Sequence, residues 1–367
     1  MRIAVIGPTH PYKGGISQYT TELAHQLSAA GHDVRLESWS HQYPKRLYPG
    51  QLTVEKPELP PFPGTHRTLS WRRPDSWYAC GRRLRDHDLV VFVVASPVQM
   101  PAYRGILAGL GRKRRATVVT QCHNVLPHER SSIDERLIRG VLTRVDGVLT
   151  HSDAQGDIAR SLTKVPVVVE QMAPLVVATA TGNARDDEVH RKLLFFGLVR
   201  PYKGLDVLLR AMAAGPKDVS LTVAGEFWGD MPAVIDALVA ELGIADRVTI
   251  RRGYVDAEEV PALFDGVDAL ALPYRSATAS VNAFLAFEHG VPVIASRVGT
   301  LPDDVHDDVD GLLVTPDDVA GLTAALEKFY TGDTPLRLRS AVRKPDSAPQ
   351  WSRYLKALTS LVRDPRP

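Results

Sequence analysis

The chain has 367 residues, with 44 Lys+Arg against 42 Asp+Glu, so a net charge of +2 excludes a polyanion binder held by overall charge. Hydrophobic residues make up 44% and charged residues 23%, which excludes a disordered, collagen-like or coiled-coil chain and at this length suggests two domains. Two cysteines, Cys80 and Cys122, are too few for a disulfide framework and fit a reducing compartment.

In chain order, residues 2–6 predict a buried strand that Gly7-Pro8 stops. That run is shorter than a signal peptide requires, and the longest apolar stretch, 89–95, is far below a bilayer-spanning length. The expectation is a cytoplasmic protein, with peripheral contact at an inner membrane face left open. A polar, glycine-bearing loop leads to residues 16–30, where Ile16, Tyr19, Leu23, Ala24 and Leu27 show helical spacing and Gly31 fits the C-terminal end. Residues 34–38 resume as a strand, completing a βαβ pattern. Residues 41–76, rich in Pro, Tyr, Arg and His, read as a long loop away from the sheet. Further strands are expected at 89–95, 117–120, 145–150 and 165–169.

Residues 176–190 have linker composition, after which the alternation restarts. Strands are expected at 192–197, 219–224, 248–251, 269–272 and 293–296. Helices are expected at 205–214, 232–242, 258–264 and 280–288. A last amphipathic helix spans 351–362. The expected organisation is an N-terminal Rossmann-like domain (1–175), a linker (176–190) and a C-terminal Rossmann-like domain (191–345). A terminal segment (346–367) is left free to pack back on the first domain. Two doubly wound sheets imply a cleft, with ligands at the carboxyl ends of strands.

Candidate chemistry lies in the strand-to-helix loops. Gly14 and Gly15 let the backbone approach an anion at a helix start, or simply make a tight turn; they do not form the dinucleotide G-x-G-x-x-G pattern. Arg200 and Lys203 offer two cations at the equivalent strand end of the second half, suited to a diphosphate, the alternative being a solvated loop. His123 closes the strand at 117–120, with His128 and Glu129 soon after. Tyr274, Thr278, Ser280, Val281 and Asn282 join a strand to a helix, where hydroxyl and backbone donors suit phosphate oxygens and also suit an N-cap. The basic run 112–115, with Arg72, Arg73, Arg82, Arg83 and Arg85, reads as a solvated face before it reads as a contact with anionic lipid or an anionic acceptor. No H-E-x-x-H or Cys-rich metal spacing and no G-x-S-x-G elbow is present.

Taken together these residues resemble the retaining, nucleotide-sugar-dependent glycosyltransferases of family 4, glycosyl transferases group 1, with the GT-B fold. The likeness is densest from Leu193 to Pro316. It rests on Phe196-Gly197, Lys203-Gly204-Leu205-Asp206, Val223-Ala224-Gly225-Glu226, Gly253-Tyr254-Val255, Leu272-Pro273-Tyr274 and Gly290-Val291-Pro292-Val293-Ile294. In the first half Gly14-Gly15-Ile16, Gly31-His32-Asp33-Val34 and residues 123–129 also match. The resemblance implies two Rossmann-like domains facing across a cleft and transfer of a sugar from a nucleoside diphosphate to an acceptor hydroxyl with retention. That reaction would serve polysaccharide, glycolipid or glycoconjugate assembly, on a carbohydrate, lipid-linked or small-molecule acceptor, with no metal, no other cofactor and no nucleic acid.

By resemblance Lys203 and a nearby arginine contact the diphosphate, and Gly14 and Gly15 approach the phosphates or sugar. His123 lies near sugar and acceptor, while Gly225 and Glu226 line the donor side. The sequence also departs from the family. Two glutamates separated by seven residues are replaced by Ala277 and Leu285, with Glu288 one turn beyond as a substitute for the second. The usual arginine position holds Leu198, with Arg200 two residues later. Those departures keep open a non-catalytic GT-B subunit that binds nucleotide or partner; an epimerase or phosphorylase on the same fold is the third reading.

Overall fold

A computed structural model of the chain describes residues 1–44, 52–57, 59–112, 114–127, 133–175, 188–278 and 280–362. The chain divides into two units, Met1–Ala173 with Ser347–Pro367, and Pro174–Asp346.

In the first unit, strands and helices alternate as β1 (Arg2–Ile6), α1 (Gly15–Ala29), β2 (Asp33–His41), β3 (Thr65–Ser70), α2 (Asp75–Arg83), β4 (Leu89–Val94), α3 (Met100–Leu110), β5 (Thr117–Cys122), α4 (Asp134–Leu142), β6 (Gly147–Thr150), α5 (Asp153–Leu162) and β7 (Val167–Val169). The strands form one sheet in the order β3-β2-β1-β4-β5-β6-β7. All of its pairings are parallel. The central strands are apolar on both faces because helices cover both: every residue of β4, Leu89–Val94, is fully buried.

Residues 41–76 differ from the sequence expectation. They contain β3, which extends the sheet beside β2. Its first residues are exposed and polar, as befits an edge strand, so Thr65–Ser70 lacks the apolar run that marks a buried one. Residues 45–51 and 58 of this segment, like 176–187 of the expected linker, lie outside the described residues.

The second unit repeats the plan with β8 (Lys192–Phe196), α6 (Leu205–Ala214), β9 (Ser220–Gly225), α7 (Met231–Glu241), β10 (Val248–Arg252), α8 (Val260–Phe264), β11 (Ala269–Leu272), α9 (Val281–Glu288), β12 (Val293–Ser296), α10 (Leu301–Asp304), β13 (Gly311–Val314), α11 (Val319–Phe329) and α12 (Thr334–Ala341). Its sheet is also parallel, in the order β10-β9-β8-β11-β12-β13. Alternate residues of β8 feed two different cores. Leu193 and Phe195 pack with α6, α7 and α11, while Leu194 packs with α9.

In both sheets the strand order reverses direction beside the first strand, between β1 and β4 and between β8 and β11. Loops at the carboxyl ends of such neighbouring strands diverge and leave a crevice, the usual ligand position in doubly wound sheets. The last helix, α13 (Ser347–Thr359), groups with the first unit and buries Trp351, Tyr354 and Leu358.

Candidate active site

The second unit brings most of the expected residues together at the carboxyl ends of β8, β9 and β11. After β8 the chain turns through Arg200 and a single 3-10 turn, Pro201–Lys203, before α6. Gly204 closes that turn with φ 66°, and a Cβ there would collide with the Pro273 carbonyl oxygen. The loop after β8 is thus pressed against the loop after β11, and only glycine fits. A bidentate ion pair locks the two loops: Arg275 donates to Asp206 at 2.8 and 2.7 Å, to Asp317 at 2.8 Å and to the Pro201 carbonyl at 2.8 Å. Burial works against the Asp206 charge, but the Arg275 hydrogen bonds and charge hold its carboxyl below the usual range.

Arg200 and Lys203 are held differently. Neither pairs with a carboxylate among the described residues. Arg200 Cζ lies 3.6 Å from the ring centroid of Trp228, and Lys203 Nζ lies 3.8 Å from that of Tyr274. Arg200 Nε is buried without a hydrogen-bond partner among the described residues. Arg275 is therefore tied into the structure by Asp206 and Asp317, while Arg200 and Lys203 rest on aromatic rings.

Tyr274 is buried, and Asn282 bridges it to β8 by donating from Nδ2 to the Phe196 carbonyl at 2.9 Å and to the Tyr274 hydroxyl at 3.4 Å. Gly225 ends β9, where a Cβ would strike the Gly197 carbonyl oxygen; its lack of a side chain has a packing cause inside the protein. The carbonyl of half-buried Glu226 accepts from Val199 N–H at 2.7 Å, joining the loops after β8 and β9. Ser280 takes the N-cap position of α9 ahead of Val281 but makes no side-chain cap bond, and the carbonyl of buried Thr278 accepts from Thr300 N–H at 3.1 Å.

Glu288, expected as a substitute for the second missing glutamate, is the last residue of α9. It sits at the far end of α9, about 10 Å along the axis from Val281 at 1.5 Å per residue. Burial raises its carboxyl pKa against the opposing charge of Lys344. Ala277 and Leu285, where the resemblance expected glutamates, pack against the apolar core that contains Leu272, Ala286 and Phe287.

The first unit places its residues separately. Gly14 precedes α1 with φ 97°, and nothing lies within 4 Å of the position its Cβ would occupy. The glycine serves the backbone conformation and leaves its outer side open to a ligand; Gly15 is the first residue of α1. His123 follows β5, its N–H donating to the Val94 carbonyl at 3.0 Å. The ring meets Tyr19 of α1 edge-on at 5.4 Å and His151 at 5.1 Å. Burial, with His151 second, pushes the His123 pKa well below its ordinary value, and burial pushes His151 down to about 4. Both imidazoles are neutral at pH 7. Neither Nε2 has a hydrogen-bond partner among the described residues.

Sequence reasoning missed the setting of this histidine. Tyr19 is fully buried, stacks on Trp351 of α13 at 5.1 Å, and accepts a hydrogen bond from Ala173 N–H at 3.2 Å. Partners so distant in sequence leave no local signal. His128 and Glu129 lie outside the described residues. In the basic run, Arg114 pairs with Asp146 at 3.0 Å and Arg115 with Asp88 at 3.1 Å, so both serve the fold. Among the described residues no group of three or more His, Cys, Asp and Glu could hold a metal ion, and no helix is long and apolar enough to cross a membrane.

Comparison with known proteins agrees with this arrangement. Residues 13–169 match the family described as Glycosyltransferase Family 4, and residues 190–331 match Glycosyl transferases group 1. The chain is 28% identical over 392 residues to the MMP alpha-(1->4)-mannosyltransferase of Mycolicibacterium hassiacum, covering 92% of this chain and 91% of that protein. A D-inositol 3-phosphate glycosyltransferase of Mycobacterium sp. (strain KMS) is 36% identical over 151 residues, which is 40% of this chain and 34% of that one. Anabaena Alr3699/HepE, solved with UDP, superposes with a TM-score of 0.74 over 98% of this chain and 100% of that one, at 16% identity. The chain therefore belongs to the family 4, group 1 glycosyltransferases, sugar-transferring enzymes, and its two parallel-sheet units are those of the GT-B fold.

Proposed function

We propose that the protein transfers a glycosyl group from a nucleoside-diphosphate sugar to an acceptor hydroxyl with retention of anomeric configuration. The observation that carries this reading is the pair of cations at the switch point of the second unit, Arg200 and Lys203, which no carboxylate neutralises among the described residues while neighbouring Arg275 is fully paired. As the glycosidic bond to the diphosphate breaks, negative charge grows on the leaving oxygens. Fixed side-chain cations stabilise that charge and supply the counter-charge without a metal or other cofactor. Anabaena Alr3699/HepE, which shares this fold, is solved with UDP and with UDP-glucose, which supports a nucleotide donor.

His123 is assigned to orientation. A neutral imidazole whose pKa lies far below the working pH is a poor proton acceptor but a good hydrogen-bond partner. It bonds the transferred sugar or the acceptor, while the leaving phosphate takes the acceptor proton from the same face. The His123→Ala variant should lose turnover by about 100-fold or more, the scale of lost positioning, with nucleoside-diphosphate affinity nearly intact. Wild-type turnover in a stable variant would reject the role.

The apolar packing of Ala277 and Leu285 favours a second reading, a GT-B subunit that binds nucleotide without transfer. Turnover of UDP-, GDP- and dTDP-sugars with carbohydrate and lipid acceptors separates the two: donor binding with no transfer to any acceptor supports the second.

A further inference from the structure

Arg200 and Lys203 share a feature that the diphosphate reading does not require: each rests on an aromatic face. A carboxylate would hold either cation as firmly but cancel its charge. The negative face of an aromatic ring holds a cation and leaves its net charge available to an incoming anion. The Trp228 ring is set in register by the backbone. Trp228 N–H donates to the Val199 carbonyl at 3.1 Å, and Val199 N–H donates to the Glu226 carbonyl at 2.7 Å. Arg200, next in the chain, is thereby aligned over the indole.

Resting on the diphosphate reading, we infer that Trp228 is a positioning residue that fixes Arg200 for the donor diphosphate through its ring face. In this role the Trp228 ring acts through its cation.

The test is a binding cycle by calorimetry with UDP, GDP and inorganic pyrophosphate as probes. It compares wild type, Trp228→Leu, Trp228→Phe, Arg200→Ala and the Trp228→Leu, Arg200→Ala double variant, each with its melting temperature. Trp228→Leu should weaken every probe that binds wild type, pyrophosphate included, by about three- to thirty-fold. Trp228→Phe should recover most of the loss, and Trp228→Leu should add little once Arg200 is gone. Additive losses in the double variant would overturn the inference. So would a loss for nucleotides with pyrophosphate unchanged, since the ring would then contact the base. Phe that fails to rescue in a folded chain counts against it as well. If Arg200→Ala itself binds like wild type, or no probe binds wild type, the diphosphate reading fails. If Arg200→Ala weakens binding and Trp228→Leu does not, only the positioning role fails.

Discussion

Single residues decide how closely the loops of the second unit approach each other. Gly204 combines a left-handed conformation with contact against the Pro273 backbone, and neither strain relaxes by moving a side chain. Gly204→Ala should destabilise the protein by on the order of 3 kcal/mol, measured by urea unfolding, and weaken nucleoside-diphosphate binding with it. Gly14 makes the contrasting case, since its conformation is strained for other residues while its surroundings are empty. Gly14→Ala should cost about 1–3 kcal/mol of stability through backbone strain alone. A larger loss in activity than in stability would show that its open side meets substrate. Both glycines were legible as loop residues. The reason for Gly204 was not, because Pro273 lies in a loop far along the chain. The cations of 200–203 were visible too, but the sequence did not show that Arg275 would be the one tied up.

At the scale of elements, α13 matters most to the first unit. Trp351 and Tyr354 cover Tyr19 and His151, the rings lying 5.1–6.3 Å apart across Tyr19. Trp351→Ala should cost about 3–5 kcal/mol. Hydrogen exchange should then speed up in β5, β6 and α1 and not in β8–β13. The buried histidines make the same region acid-sensitive. His151 titrates near 4 folded and near 6.5 unfolded, so the unfolded chain binds more protons between those values and stability falls as the pH drops through that window. From pH 7.5 to 5 His151 alone should remove about 2 kcal/mol, and His151→Gln should flatten the dependence. An unchanged pH slope in that variant would contradict the assignment. The strands that carry these residues were readable from their apolar runs. The edge strand β3 was not, because half of it faces solvent, and α13 showed its periodicity without showing what it covers.

For the whole molecule, the repeated strand–helix alternation announced two doubly wound units, and the parallel sheets have the strand order in which the first strand sits at the switch point. That order explains why the loop after β8 and the loop after β11, about 70 residues apart by the span from Arg200 to Tyr274, form one site. Sequence alone offered Glu288 because it lies one turn beyond Leu285; the structure puts it at the C-terminal end of α9, a helix length from Val281. The central claim is that two unneutralised cations hold the donor's diphosphate. Calorimetric titration of UDP and GDP into the Lys203→Ala, Arg200→Ala double variant tests it most directly. The account predicts at least about a thirty-fold loss of affinity relative to wild type, the lower end of the scale of about 2–5 kcal/mol for desolvated charge-assisted contacts, in a protein that still melts near the wild-type temperature. Unchanged affinity in that folded variant would contradict it.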